Sequence, residues 1–583
     1  MTSQSTPPFV RRLVQAIWTS SAALSLIPLS PGFFSIQHKG ATWWLEDPAK
    51  HSFWSMGVDC VGTGDAGKPG NPNYDGKKLF GTDDAWAIDT TNKFRSWGIN
   101  TLGGWSETDK FHGSLPYVEV LHLGSYDKAP WHDLFSPESQ AIIAKAAADL
   151  VPKYRNDPNL IGYFSDNELG WWDDTLFLTY FGFAKTAPGK MECVKTIQGF
   201  YQNDFKRFSK DWITPARSFD DLLTETKIHL KPGTSGIQVV HAFNYAVARQ
   251  YYKFVYRLIR QYDPNHLILG DRYCQYYNIA TAEASKDFVD VASTNAGADW
   301  TDGSYTHSYF ESLHAMTGKP VIITEFYFSA KENQSGNRNS GSAFPLVATQ
   351  AERAKGFEGS LKSLARLPFV VGAHWFQFTD EPPKGRGDGE DWNFGLEDIK
   401  GNPYPLMLDV LKRFKPVKIH ATEAAMVRNR IPVTPAKPMQ DNLLRWNRDR
   451  GLVTSHSKDQ WADLYVSHDK DNLYVGLVPM EYGDPSLYET GKMPEEDRPE
   501  LKLQVGSWHG SVRYGFSSPA KATSGIAKIA ERPGLKHMLT LQIPLKSLDK
   551  PRLIAGHQVH LSAQLSSHGR GYSMSWDQNL TVE

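Results

Sequence analysis

Two apolar runs in this chain each stop at a glutamate, and that pairing limits the possible folds more than any other feature. The first, Asn159-Leu-Ile-Gly-Tyr-Phe-Ser-Asp-Asn-Glu-Leu-Gly-Trp-Trp172, follows an Asp157-Pro158 turn signal and carries the polar cluster Ser165, Asp166, Asn167 and Glu168. The second, Pro320-Val-Ile-Ile-Thr-Glu-Phe326, is β-branched up to Glu325 and then runs into Tyr327 and Phe328. Short apolar runs bounded by turn residues read as strands covered on both faces, the habit of parallel sheets flanked by helices. Carboxylates at the C-terminal ends of such strands sit where barrel enzymes keep their chemistry. Either glutamate alone reads better as a helix first-turn carboxylate or a surface ion-pair partner. The repeated strand context and the aromatic surroundings favour a pair that faces one sugar ring as acid/base and nucleophile, which for retention requires carboxyls about 5 Å apart.

The same grammar recurs along the chain. Strand patterns over 53–59, 99–105, 117–123, 159–168, 266–273, 288–295, 320–325 and 369–377 alternate with helical patterns such as 85–97, 137–154 and 242–262. Eight strands with intervening helices predict an α/β fold, a (β/α)8 TIM barrel. A hairpin over 33–45 is expected to close its bottom. The sixty or so residues between Trp172 and Gln238 far exceed the usual βα loop of about two to six residues, and insertions of that kind shape substrate clefts. Pro432, Pro435 and Pro438 read as a linker, after which short alternating strands over 464–466, 473–477, 501–505, 539–543 and 559–564 predict an antiparallel β-sandwich. The expected division is a leader over 1–31, a barrel with its hairpin over 32–425, a linker over 426–438 and a sandwich over 439–583.

Composition narrows the partners. Net charge is -1, from 63 basic and 64 acidic residues, so no imbalance points to nucleic acid or an anionic membrane. Aromatics form 13% of the chain, with 18 Trp and 25 Tyr; most serve the core, and such flat rings also suit stacking on sugars. Cys60, Cys193 and Cys274 are too few and scattered for a disulfide framework or a zinc site and read as small buried hydrophobes. No metal or cofactor is expected. The partner expected is an oligo- or polysaccharide, with the oligomeric state left open. The leader carries Arg11-Arg12 and then a diluted apolar run: a signal segment would mean a secreted or periplasmic protein, a docked helix a cytoplasmic one. It is too polar to span a membrane.

The combination Gly162-Tyr-Phe-Ser-Asp-Asn-Glu-Leu-Gly-Trp171, Ile322-Ile-Thr-Glu-Phe326, Gly372-Ala-His-Trp-Phe-Gln-Phe378 and Gly385-Arg-Gly-Asp-Gly-Glu-Asp-Trp-Asn-Phe-Gly395 resembles clan A glycoside hydrolases, above all the family 50 β-agarases and related β-galactosidase-like enzymes. The likeness covers residues 32–420. The tail, with Trp461-Ala-Asp-Leu-Tyr-Val466 and Asp471-Asn-Leu-Tyr-Val475, is similar to family 9 carbohydrate-binding modules. The resemblance implies a retaining β-glycoside hydrolase in which Glu168 is the acid/base, Glu325 the nucleophile and Asn167 the partner of the sugar 2-hydroxyl. Glu168 then needs a raised pKa, and Glu325 needs donors such as Arg272 to stay ionised. The chain departs from the clan after strand six, where Asn295-Ala-Gly297 stands in place of a Tyr or His that holds the nucleophile; Tyr305 or a residue from another loop is the candidate substitute.

Further candidates each carry two readings. Trp375 is a sugar platform or a core aromatic. His374, His122 and Trp105 are hydroxyl partners or structural rings. Asp388, Glu390 and Asn393 grip hydroxyls or form turns, and Asp59 is a substrate contact at the end of strand one. Galactose- or agarose-type β-links are the expected target. A β-glucosidase, a transglycosylase and a non-catalytic carbohydrate-binding protein are the alternatives. Gly356-Phe-Glu-Gly-Ser360 lacks the Gly-x-Ser-x-Gly elbow of an esterase.

Overall fold

Leu160–Phe164, Val321–Phe326 and Val370–Trp375 are buried at every position, as strands covered on both faces must be. In the structure, a computed structural model, they lie in a nine-stranded parallel sheet. Its order is Leu267–Ile268, Leu160–Phe164, Tyr117–Val120, Thr101–Leu102, Ser55–Val58, Val370–Trp375, Val321–Phe326, Ala292–Asn295, Tyr273–Cys274. The structure describes residues 32–64, 74–171, 175–274, 277–341, 344–421, 427–434, 438–439, 443–457, 460–480, 484–515, 518–523, 526–531, 537–548, 552–567 and 572–583. The leader expected over 1–31 and part of the linker expected over 426–438 lie outside them.

Both edges of this curled sheet come from one stretch, 267–274. The expected fifth strand is split there, because Gly270 and Arg272 take positive φ and leave the ladder. Side chains from many strands meet on the inner face, where Val118, Ile161, Leu267, Val291, Ile322 and Val371 form one cluster with Phe34 and Leu45 of the N-terminal hairpin. The hairpin, Ser35–Lys39 with Thr42–Glu46, docks by donating Trp43 N–H to the Pro368 carbonyl, 2.7 Å away, just before Val370–Trp375. It therefore plugs the end of the sheet at which the strands begin.

Helices cover the outer face. Asp83–Trp97 starts at a Thr82 cap and stops at left-handed Gly98. Gln350–Ala365 starts with a capping box of Thr349 and Glu352. Ile237–Tyr262 begins five residues before the expected 242. The long insertion is ordered, with helices Thr175–Phe181, Pro188–Phe200 and Phe205–Asp211. Phe177 and Tyr180 pack on Phe243 at 5.9 and 5.3 Å between ring centroids, so the insertion extends the core.

The C-terminal part holds a six-stranded and a five-stranded sheet with a shared apolar cluster that includes Trp461, Leu503, Leu541 and Trp576. Its first strand, Arg430–Ile431, pairs with Tyr572–Val582, and Pro432 O and Thr434 N bond His468. Residues 430–434 are thus tied to these sheets. They contact the rest of the chain closely. Asp463 accepts the N–H groups of His307 and Ser308 at 2.7 and 2.9 Å, capping helix His307–Thr317, whose own N-cap residue Thr306 makes no side-chain cap bond. Arg448 pairs with Asp302 and lies 4.2 Å from the Trp300 ring centroid. Among the described residues no helix is long and apolar enough to cross a membrane.

Candidate active site

At the C-terminal ends of the parallel strands the backbone repeatedly turns left-handed. Cys60, Trp105, His122, Glu168 and Arg272 all have φ between 51 and 58°. Each lies a few residues past the end of a parallel strand, and a non-glycine residue in this region costs about 1–2 kcal/mol. Strain of this kind persists where surrounding bonds over-determine it. Glu168 shows how: its N–H donates to the carbonyls of Asp271 and Arg272, both at 3.3 Å. Asp271 is itself clamped by the Trp171 indole N–H at 2.5 Å and the Tyr252 hydroxyl at 2.8 Å. On the other side Asp166 accepts from Gly124 N, Ser125 N and the Tyr251 hydroxyl. Burial holds both carboxyls high, Asp166 at about 6 and Asp271 at about 7.

Glu168 and Glu325 meet at one atom. The Asn295 amide nitrogen donates to Glu168 Oε1 at 2.8 Å and to Glu325 Oε1 at 2.9 Å. Asn167 Oδ1 lies 3.2 Å from the same nitrogen. A register shift between Thr294 and Asn295 makes Asn295, rather than Ala296, the neighbour of Glu325: it pairs with Glu325 and skips Thr324. The skipped Thr324 donates its hydroxyl to Asn295 Oδ1 at 2.6 Å. Arg272 grips Glu325 from below, with Nη2 3.1 Å from Glu325 Oε1, 3.0 Å from Asp59 Oδ2 and 2.9 Å from the Thr324 carbonyl.

Burial pushes the Glu325 carboxyl well above the usual range; Arg272 opposes this, while Glu168, Asp59 and Glu390 add to it. Asp59 is fully buried, and burial raises it to about 7 despite the Arg272 guanidinium. Trp105 and His122 form a wall: the indole N–H donates to His122 Nε2 at 3.1 Å, and the Arg272 guanidinium lies 4.1 Å from the Trp105 ring centroid. Burial and then the Arg272 charge lower the His122 pKa, keeping the ring neutral and able to accept.

Several sequence-based candidates lie elsewhere than expected. Trp375 is buried, its indole N–H donating to the Phe394 carbonyl at 2.7 Å and its ring packed against Phe326 and Phe357. It is a core aromatic. His374 is also buried, 2.8 Å from Ser55 Oγ, with burial and Arg272 lowering its pKa to about 3. Asp59 and Arg272 sit beneath the glutamates with no exposed surface, so neither is a substrate contact. Asn393 is enclosed too, accepting from Ala330 N at 3.0 Å. Tyr305 packs on Phe310 before helix His307–Thr317, and Asn295 with Arg272 holds Glu325 in its stead. Asp388 and Glu390 both bond Arg386 at 2.7 Å, and Glu390 is close enough to raise Glu325.

Asn295, Thr324 and Phe376 were missed. Asn295 was visible as the polar residue ending the strand pattern 288–295. Phe376, the first residue after the strand Val370–Trp375, lies 6.3 Å from the Trp105 ring and is the aromatic that joins the wall. Cys60 and Cys193 are buried as expected, but Cys274 is half-buried beside Glu168, whose charge adds to burial in raising the thiol. Among the described residues no group of three or more His, Cys, Asp or Glu could hold a metal ion.

No family model matches the chain. It is 28% identical over 383 residues to beta-agarase A of Vibrio sp. (strain JT0107), covering 60% of this chain and 37% of that one. Against beta-agarase B of the same strain it is 27% identical over 356 residues, covering 56% and 36%. The chain thus spans little more than a third of the length of these curated relatives. Among solved structures, the agarase AgWH50C superposes with a TM-score of 0.58 at 22% identity, covering 73% of this chain and 72% of that one. An exo-beta-agarase gives 0.59 at 20% identity, covering 71% of each. In sequence this chain is therefore similar to β-agarases, and its fold is one that solved agarases share.

Proposed function

We propose that this chain is a retaining β-glycoside hydrolase related to the family 50 β-agarases, cleaving β-galactosyl links of an agarose-type polysaccharide by double displacement. The observation that carries the reading is the shared Asn295 amide. Two bonds of 2.8 and 2.9 Å from one nitrogen hold the two Oε1 atoms less than about 6 Å apart. Retaining pairs stand about 5–5.5 Å apart, and inverting pairs about 6.5–9.5 Å. The similarity to β-agarases supports the substrate class.

In this reading Glu325 attacks the anomeric carbon as Glu168 gives its proton to the leaving glycosidic oxygen, which departs with the bonding pair. Glu168 then takes a proton from water, the water oxygen bonds the anomeric carbon, and the ester's pair returns to Glu325. Arg272 opposes the burial that raises Glu325 and so favours the charged form that attack requires. Asn167 offers a neutral partner to the 2-hydroxyl, and Trp105, His122, Phe376 and Glu390 line the sugar. The curled sheet, closed through 267–274, is read as a (β/α)8 TIM barrel, with the C-terminal sheets as a β-sandwich unit that begins near residue 427.

The test is hydrolysis of aryl β-galactosides and agarose oligosaccharides, with the anomeric configuration of the first product followed by NMR. Retention is expected. Glu325→Gln is expected to lose about 1,000-fold or more in rate, whereas Glu168→Gln spares the first step on good leaving groups, which need no proton. An inverted product overturns the double displacement, and wild-type activity in Glu325→Gln overturns the assignment.

A further inference from the structure

The Asn295 amide touches both carboxylates that trade the negative charge during the proposed reaction, and Arg272 does not. Arg272 bonds Glu325 and Asp59, so it favours charge on the nucleophile and resists its transfer. The Asn295 nitrogen reaches Glu325 Oε1 and Glu168 Oε1 at nearly equal distances. Its orientation follows from its neighbours. The reversed amide would set Oδ1 against two carboxylate oxygens, and the Thr324 hydroxyl, donating to Oδ1, locks the orientation in place. Two N–H groups serve three acceptors, of which Asn167 Oδ1 is the farthest at 3.2 Å.

We infer that Asn295 is a catalytic residue of this site, a donor that stays bonded to whichever glutamate carries the charge as it passes from Glu325 to Glu168 and back. The inference rests on the double-displacement reading above. When Glu325 becomes a neutral ester, its bond from Asn295 weakens to a neutral one; the bond to Glu168, now a carboxylate, becomes charge-assisted and about twice as strong. The amide needs no displacement to make the exchange, so the site is organised in advance for both steps. The charged and titratable groups that act on the pair are Arg272, Asp59, Glu390, Cys60 and Cys274, and none of them bonds both glutamates among the described contacts.

The test compares the whole 583-residue chain as wild type, Asn295→Ala and Thr324→Val by rapid-mixing kinetics on aryl β-galactosides and by pH profiles. In Asn295→Ala both glycosylation and deglycosylation are expected to slow, each about 10- to 100-fold, with KM little changed. Each anion loses a donor, so the acid limb, set by ionisation of Glu325, and the alkaline limb, set by loss of the Glu168 proton, both move to higher pH. Thr324→Val frees the amide to rotate and is expected to shift both limbs the same way by less. Slowing of one step, movement of one limb, or a uniform loss with unmoved limbs in both variants overturns the inference. Infrared titration of the two carboxyls in wild type and Thr324→Val needs no turnover. It separates a failure of the shared donor, seen as unchanged titration, from a failure of the glycosidase reading, seen as absent hydrolysis by wild type.

Discussion

Asp59 sits under the candidate nucleophile and acts on it through charge. It holds Arg272 at 3.0 Å while its own carboxyl is raised to about 7 by burial. Where Asp59 is ionised it makes a charge on Glu325 harder to hold, and it draws the guanidinium away from Glu325. Removing the charge in Asp59→Asn is therefore expected to lower the Glu325 pKa and move the acid limb of kcat/KM to lower pH, by up to about one unit. A limb that moves up, measured on any hydrolysed aryl glycoside, would contradict this order of effects. At this scale the sequence was informative about residue type and silent about direction. Trp375 ends its strand and Phe376 follows it; which ring packs into the core and which lies against Trp105 depends on how the chain leaves the strand.

At the scale of elements, close approach of backbones decides what the sheet tolerates. A Cβ on Gly162 would lie 2.4 Å from the Leu267 carbonyl oxygen of the neighbouring strand. Gly162→Ala must push apart the two strands that carry Glu168 and Arg272. A loss of about 1–3 kcal/mol is expected in denaturant unfolding, and, on the proposed function, a fall in kcat as Glu168 is displaced. Helix His307–Thr317 presents the opposite case, since the carboxylate that caps it comes from Asp463, 156 residues away in sequence. Asp463→Ala is expected to cost about 1 kcal/mol or more, because two helix N–H groups lose a buried, charged acceptor. An unchanged unfolding midpoint would show that water replaces it. The eight strand stretches and the major helices were legible because period and turn residues are local signals. The split at 269–272 and the register shift at Asn295 were not, since both answer to neighbouring strands.

For the whole molecule, the C-terminal part behaves as a structural partner of the sheet that bears the site. Trp300 packs in one cluster with Trp446, Tyr465 and Tyr474, and Met480, Leu487 and Tyr488 join the main core. Cutting the chain after residue 421 would bare these surfaces. The shortened protein is expected to be poorly soluble or to unfold at markedly lower temperature, and calorimetry of the full chain is expected to show the two parts melting together. A soluble fragment with full activity would instead make the C-terminal part a detachable module. The sequence by itself determined that two buried strands lead into glutamates and that a strand-rich tail follows a helix-and-strand alternation, because burial and periodicity are written residue by residue. Only the tertiary structure decided that those glutamates share one amide above a buried Asp59–Arg272 pair, since that meeting depends on sheet curl and on a one-residue slip in register, quantities summed over many strands.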